Sequence, residues 1–512
     1  MNSLLNHLFR LLLAGAILMA SASVLAQSSV ELVNAAREAA RADHNAQSAD
    51  LFEQALAAAP SRRHEWLREY ADQLTYSKRA IQAVPLYREY LAAQPEPGDH
   101  RRALQGLALA LSWTDRPSEA RVVYDALLAE DPGNVEAQRS LGRVISWSGR
   151  QREAQTYLRN FLVNHPGDSD GRFLLAQAQW WLGRPDSARE TLAASSPSVA
   201  SREDVQSLER SMNRAAGQTT RFDRQQSNQS DELDITGTLF EHQWSSANGS
   251  TMVAPRWQSI NYRPRGGEPG VTVERPGARA RHRFTDDLEF NLEAARDIIQ
   301  PVGFSDYTQL TYSSWLTWWP NDMFRFDVSA NRETFDNVKS LQLGIVASGE
   351  GVSLDWLPTE RDRLTTRFSR ADYSDGNRRD FAQLDVQRRV STQPTIWTGL
   401  RYSHFDFAKQ LGNGYFNPLT FDSYLLTLRA EGGSREPGAR FSWNAQLVAG
   451  REHANPDGDK PSYDVAVTAV YRFALSTRIE VRLQSFTSRT ASLSGFARNT
   501  AGITLVHDWN AK

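Results

Sequence analysis

Two patterns of apolar and polar positions divide the chain, and one gives way to the other near residue 217. In the first, a helical periodicity is itself repeated. Ala49, Ala83, Ala120, Ala154 and Ala188 stand 34, 37, 34 and 34 residues apart, and Pro60, Pro95, Pro132 and Pro166 echo them. A large apolar residue follows each alanine three or four places on: Phe52, Tyr87, Tyr124, Tyr157 and Leu192. This spacing predicts helix pairs, in which a small alanine lets two helices approach and the proline ends the second. In the second pattern, strict alternation takes over. Leu288, Phe290 and Leu292 alternate with Glu289, Asn291 and Glu293, and Phe324, Phe326 and Val328 with Arg325, Asp327 and Ser329. The same rhythm runs through Leu341, Leu343, Ile345 and Ala347 and on to Ile479, Val481 and Leu483. It predicts strands with one apolar face.

The 34-residue period, with Gly142, Gly149 and Gly183, resembles tetratricopeptide repeats, five helix–turn–helix units within residues 27–199. Residues 200–217 carry Asp204, Leu208 and Met212 at helical spacing and predict a polar capping helix and linker. Tyr76, Trp113, Trp147 and Trp181 share one phase of the repeat, each followed by a turn and then Arg79, Arg116, Arg150 or Arg184. In tetratricopeptide repeats this phase lies near the end of the first helix, facing the concave groove. These four aromatics, with Arg143, are therefore candidate partner-binding residues, since an aromatic face buries apolar surface and leaves polar groups wet. Packing between successive repeats is the alternative for the aromatics, and a solvated turn charge for the arginine column.

A soluble sandwich would also alternate. Three features point instead to an antiparallel transmembrane β-barrel over residues 218–512. The second face is charged, with Arg367, Arg389, Arg401, Arg429, Arg472 and Arg482 among its residues. Aromatics such as Trp318, Tyr402, Trp443 and Tyr471 gather toward strand ends, as in interfacial girdles. The start of the chain supplies the third. One basic residue precedes an apolar run, Leu11–Leu18, and Val24-Leu25-Ala26 ends in a small residue, which together read as a secretory signal peptide over 1–26. That run is short for a membrane-anchoring helix. Between residues 218 and 512 there is room for 16 or 17 strands, and an even number, about 16, is expected.

Composition sharpens this reading. A mean hydropathy of −0.53 excludes a multi-helix membrane protein but not a barrel, in which every second residue faces water. The absence of cysteine removes disulfides, thiolate metal sites and thiol nucleophiles. With 58 basic and 60 acidic residues, no global field recruits nucleic acid. His242, His282, His404, His453 and His507 stand in no triad pattern, and no HExxH, GxSxG or phosphate loop occurs. No enzyme activity, catalytic residue, metal or cofactor is expected.

A leader, tetratricopeptide repeats and a C-terminal barrel together resemble the outer-membrane secretins of synthase-dependent exopolysaccharides. The nearest are the poly-N-acetylglucosamine export porins and, more distantly, the cellulose-export proteins. Trp147-Ser148-Gly149-Arg150, the segment Tyr373–Asn377 and Gly414-Tyr415-Phe416-Asn417-Pro418 agree with that likeness. The resemblance implies a bacterial outer-membrane pore that exports a linear exopolysaccharide, with periplasmic repeats that dock a polysaccharide-modifying enzyme or synthase complex or guide the chain. Outer-membrane lipid and the barrel assembly machinery are its other implied partners. Candidate lumen contacts are Glu289, Glu293, Asp327, Asp355, Asp385 and Asp464, with Trp315, Trp319 and Trp397 as sugar platforms. The alternative for the carboxylates is an arginine–carboxylate ladder that braces the wall. A barrel-anchored scaffold that transports nothing is the alternative for the whole chain.

Overall fold

The computed structural model describes residues 29–195, 200–433, 440–490 and 494–510. The expected leader, residues 1–26, lies outside them. The chain divides into two compact units, Met1–Ser148 and Gly149–Lys512.

The first unit is helical. After α1 (29–41) come α2 (Asn45–Ala58), α3 (Arg63–Leu74), α4 (Ala80–Ala92), α5 (Pro97–Trp113), α6 (Pro117–Glu130) and α7 (Val135–Trp147). Ala49, Ala83 and Ala120, on α2, α4 and α6, are fully buried where consecutive helices meet. Pro60, Pro95 and Pro132 fall just beyond the ends of those helices, and Pro97 and Pro117 start the next ones, where a missing N–H costs nothing. Asn134 caps α7 by accepting from the Ala137 N–H at 3.0 Å. The turn after each odd helix needs one left-handed residue, supplied by Asp43, Lys78 and Asp115 here and by Gly149 and Gly183 in the second unit. The repeat is therefore written in the backbone as well as in the side chains.

The second unit opens with α8 (Gln151–Asn164), α9 (Ser169–Trp181), α10 (Pro185–Ala193) and α11 (Glu203–Ala215). Ala154 and Ala188 are again fully buried. Val205, Leu208 and Met212 of α11 pack on Ala176, Ala188 and Leu192, so this helix closes the apolar end of the array.

Sixteen strands follow among the described residues. They are β1 (Gln218–Gln229), β2 (Leu233–Ser245), β3 (Thr251–Pro264), β4 (Val271–Arg283), β5 (Leu288–Pro301), β6 (Tyr307–Trp318), β7 (Phe324–Thr334) and β8 (Val346–Trp356). The rest are β9 (Asp362–Tyr373), β10 (Arg378–Thr392), β11 (Thr395–Phe407), β12 (Thr420–Gly433), β13 (Phe441–Asn455), β14 (Gly458–Ala474), β15 (Thr477–Phe486) and β16 (Arg498–Asp508). Each pairs antiparallel with its sequence neighbours, and β1 pairs with β16 from Thr219↔Asp508 to Gln229↔Arg498, closing the barrel. Phe240, Leu316, Val328, Leu400, Leu426 and Leu483 face out and stay exposed, as lipid-facing residues do. The 16-strand antiparallel barrel behind helical repeats is the architecture the two patterns predict.

One apolar run breaks the pattern. Leu341 and Leu343 are not strand residues: Val338–Gln342 forms a short helix, α12, in the loop between β7 and β8. The loop turns into the barrel, and Leu341 packs on Ile235, Ile260, Val273 and Ile299, all on inward faces. Leu341 and Ile345 are buried in separate inward clusters while Leu343 stays exposed, so the run has no common lipid face.

Short turns lie at the end where the repeats join, such as Thr392–Thr395 and Ala474–Thr477. Within this unit the helices hold those turns. Arg152 on α8 pairs with Asp287 at 2.8 Å and Asp322 at 3.4 Å, and Arg184 pairs with Asp286 at 2.9 Å.

A buried charge in the first unit gives a test. Tyr87 donates its hydroxyl to Asp72 at 2.6 Å and Arg68 pairs with Asp72 at 2.6 Å, yet burial pushes the carboxyl up from 3.8 to about 6. A raised folded value favours the protonated form, so this stability is present below about pH 4 and lost as pH rises through 6, about 3 kcal/mol in all. Asp72→Asn, which still accepts from Tyr87, should raise the thermal midpoint of the helical signal at pH 7.5 and leave it unchanged at pH 4.

Candidate functional site

The inward face of the barrel carries an ordered array of charge, and register decides its membership. Because side chains alternate, Glu289, Glu293, Asp297, Arg279 and Arg283 share one face of β4 and β5, and Asp327, Asp355 and Arg325 one face of β7 and β8. Arg275 grips Asp297 through two bonds of 2.7 Å, and Thr311 and Thr334 each donate to the same carboxylate at 3.0 Å. Arg279 reaches Glu241 at 2.8 Å, Arg363 reaches Asp355 at 2.8 Å and Arg401 reaches Asp385 at 2.7 Å. Arg482 binds Asp223 across the closing seam, beside Thr504.

The six candidate carboxylates all lie on this inward face. Glu289 accepts from Arg283 at 3.1 Å, Asp327 from Arg325 at 3.0 Å, Glu293 pairs with Arg256, and Asp464 accepts from Gln484 at 3.0 Å. With Asp355 and Asp385 already described, five of the six belong to arginine–carboxylate pairs, three of which join neighbouring strands. Trp315 stands in the inward register opposite Asn291 and Ser329. Trp319 and Trp397 carry arginine over their rings, Arg325 at 5.8 Å and Arg389 at 5.9 Å.

At the end away from the repeats the face changes character. Phe335, Tyr373, Phe405, Phe407, Tyr415 and Phe421 form an apolar cluster with inward-turned loop residues. Tyr373 and Tyr415 stack at 5.1 Å, and Phe335 lies 4.9 Å from Tyr415. The two strings Tyr373–Asn377 and Gly414–Pro418, far apart in sequence, meet here. The Tyr415 hydroxyl donates to Asp375 at 2.9 Å, Asn413 donates to Asp375 at 3.0 Å, and Asn377 donates to the Tyr415 oxygen at 3.0 Å. Gly414, at φ +92, lets the loop pass so close that a Cβ would sit 2.6 Å from Asn337. The β7–β8 and β11–β12 loops are joined where Ser340 donates to the Asn413 carbonyl at 2.8 Å. Sequence reasoning did not name this cluster as a site. The aromatic density of those two strings was its signal.

In the repeats, Trp113, Trp147 and Trp181 end their helices, and with Tyr76 they stay about half exposed. Tyr76 and Trp113 touch edge to face at 6.1 Å, and Arg143 lies 5.9 Å over Trp147. Of the arginine column, Arg79 and Arg116 pair with repeat carboxylates, Asp50 and Glu119, whereas Arg184 binds a barrel turn. Trp181 lines a groove with Phe173, Trp180, Arg210, Arg214 and Leu475 of the β14–β15 turn. The barrel histidines His242, His282 and His507 each meet a threonine on the next strand and an aromatic two residues on. They belong to the outer girdle.

A closed 16-strand barrel, apolar outside and charged inside, defines a bacterial outer-membrane β-barrel, here joined to helical repeats. Residues 302–483 match the PgaA membrane beta barrel domain, and residues 148–212 match a tetratricopeptide repeat model. The chain thus resembles PgaA-like tetratricopeptide–barrel export porins. Among solved structures it is similar to a bacterial polysaccharide outer membrane secretin at 12% identity, over 58% of this chain and 99% of that one, with a TM-score of 0.45. It is also similar to OccK11 of Pseudomonas aeruginosa at 12% identity, over 57% and 94%, TM-score 0.30, and to MamA MSR-1 C2 at 16% identity, over 33% and 94%, TM-score 0.28. No curated protein matches it.

Asp297 is fully buried and ties β4, β5, β6 and β7 together. Asp297→Ala would strand Arg275, a loss of about 3–5 kcal/mol for a buried pair broken on one side. The folded, heat-modifiable band should convert to the unfolded one at a clearly lower temperature on semi-native gels, while Glu293→Gln should convert close to wild type.

Proposed function

We propose that this chain is an outer-membrane pore through which a linear exopolysaccharide, poly-N-acetylglucosamine-like in its backbone, leaves the cell. Its repeats lie in the periplasm and hold a modifying enzyme, a synthase component or the polymer itself. The observation that carries this reading is the closed 16-strand barrel with a charged, tryptophan-bearing inward face, in a region that matches the PgaA barrel domain. The size suits it: about sixteen strands leave an aqueous channel unless something fills it.

The pieces then divide the work. Carboxylates locked to arginines hydrate the wall and stop it collapsing, and the inward tryptophans offer flat faces to passing sugar rings. No group grips alone, which is what a sliding polymer needs. Half-exposed Tyr76, Trp113 and Trp147 with Arg143 in the first unit, and Trp181 in the second, are the docking residues we assign to the repeats. The short turns face the periplasm and the long loops the outside. The apolar loop cluster therefore sits at the exit, where it must part for the polymer to pass.

That cluster favours a second reading, a barrel-anchored scaffold that transports nothing. Two measurements separate them. The reconstituted chain should pass ion current in planar bilayers, with larger steps once Tyr415→Gly loosens the loop cluster, and a chain silent in both forms sinks the pore. A deletion strain should lose polymer outside the cell and accumulate it within the periplasm. Complementation by Trp113→Ala/Trp147→Ala should restore conductance but not full export.

A further inference from the structure

Formal charge in the barrel is almost balanced, but charge is not evenly presented to the lumen. An aspartate carboxylate ends close to its strand, whereas a guanidinium rides on a longer stem, so a cross-strand pair leaves the anion at the wall and the cation above it. The structure follows this rule. The Arg482 side chain is 39% exposed and that of its partner Asp223 is 8%. For Arg401 and Asp385 the values are 28% and 6%. Arg275, Arg279, Arg325 and Arg363 also stand clear of deeper carboxylates. Hydroxyls of Thr311, Thr365 and Thr504 hold those carboxylates down from the wall side. Arg256 with Glu293 on the wall, and Arg498 with Asp336 and Arg489 with Asp457 at the loop end, run the other way, with the carboxylate more exposed.

Two further features add to this. Arg367, exposed on the inward face of β9 opposite Ser353 and Gln383, makes no ion pair among the described residues. At the repeat end, burial and then the charge of Arg472 pull the Arg214 ionisation down against the opposing charge of Asp508, which pairs with both Arg472 and Arg478, so three arginines there share one carboxylate. Lysine takes almost no part: Lys339, Lys409, Lys460 and Lys512 are the barrel's lysines, and its other basic residues are arginine.

We infer that the polymer this pore conducts carries anionic groups, carboxylates or comparable acidic substituents on its sugars, and not the free amines of a deacetylated chain. The inference rests on the export reading and specifies its substrate class. Guanidinium groups already paired from below attract passing anions at long range without being free to clamp them. A polyanion thereby gains entry and still slides. At most of these pairs a cationic polymer would meet guanidinium before carboxylate.

The test uses the full chain in planar bilayers, with ion selectivity from the reversal potential in a KCl gradient. Three oligosaccharide probes of similar length follow: oligogalacturonate, N-acetylated chito-oligosaccharide and oligoglucosamine. Anion selectivity is expected, with oligogalacturonate blocking at about tenfold lower concentration than oligoglucosamine. Arg281 lies on the inward face of β4 between Arg279 and Arg283 and donates to the Gly249 carbonyl at 3.3 Å. Arg281→Gln/Arg367→Gln, which strands no carboxylate, should weaken selectivity and oligogalacturonate block several-fold while leaving block by the neutral probe unchanged. Calorimetric binding of the same probes keeps the test open should the exit loops hold the pore shut. Cation selectivity, or oligoglucosamine blocking or binding as well as the anionic probe, overturns the inference and leaves the pore intact. Neither current nor binding of any probe overturns the export reading, and this inference with it.

Discussion

Inside a bilayer no water is available to backbone N–H and C=O groups, so each must find its partner within the protein. The bond ladder between β1 and β16 is the contact that meets this demand, because it removes the last two open edges. Everything else in the barrel follows from that closure. Once the sheet is a cylinder, alternation has a fixed meaning: one parity faces lipid and the other faces a wet interior. A one-residue slip anywhere would drive Arg279, Asp297 or Arg401 into lipid and Leu292 or Leu400 into the lumen, so the register is held by both faces at once.

The lumen in turn depends on how its charges are paired. Asp297, Asp223 and Asp385 are buried, and each is met by a guanidinium, with threonine hydroxyls added at Asp297 and Asp223. Pairing fixes the strand spacing and places arginine uppermost. At the exit the logic reverses. There the inward faces carry Ile235, Tyr262, Phe405 and Phe421, which would be exposed to water were the β7–β8 and β11–β12 loops not folded onto them. Wall polarity and loop position are thus two sides of one arrangement.

Much of this was legible in the chain. The buried alanines Ala49, Ala83, Ala120, Ala154 and Ala188 announce the helix pairs, because only a small side chain fits where they sit. The outward rows are legible because lipid tolerates no interruption of an apolar face. Leu341 and Leu343 were misread for a local reason: alternation over four residues cannot distinguish a strand from a loop that turns into the barrel. The inward carboxylates could be named from their parity, but not their depth, since that depends on which arginine lies across the strand. The exit cluster was hidden for the same reason. Asp375 and Tyr415 are 40 residues apart and meet only once the cylinder is closed.

The junction between repeats and barrel was the least legible, because it rests on single side chains crossing long sequence distances. Arg283 ends β4, donates to the carbonyls of Leu182 and Gly183 in the turn after α9, and also binds Glu289 on the inward wall. One guanidinium therefore belongs both to the last repeat turn and to the rim of the lumen. Arg152 and Arg184 anchor the same helices to Asp286, Asp287 and Asp322, in the turns that carry β5 and β7. The final repeat is thus built into the barrel's rim and not hung from it by a linker. Trp181 lies one residue before that turn, half exposed beside Arg214 and Leu475. Trp181 therefore shares its groove with a turn of the barrel's rim, so the repeat and the rim present one continuous surface there.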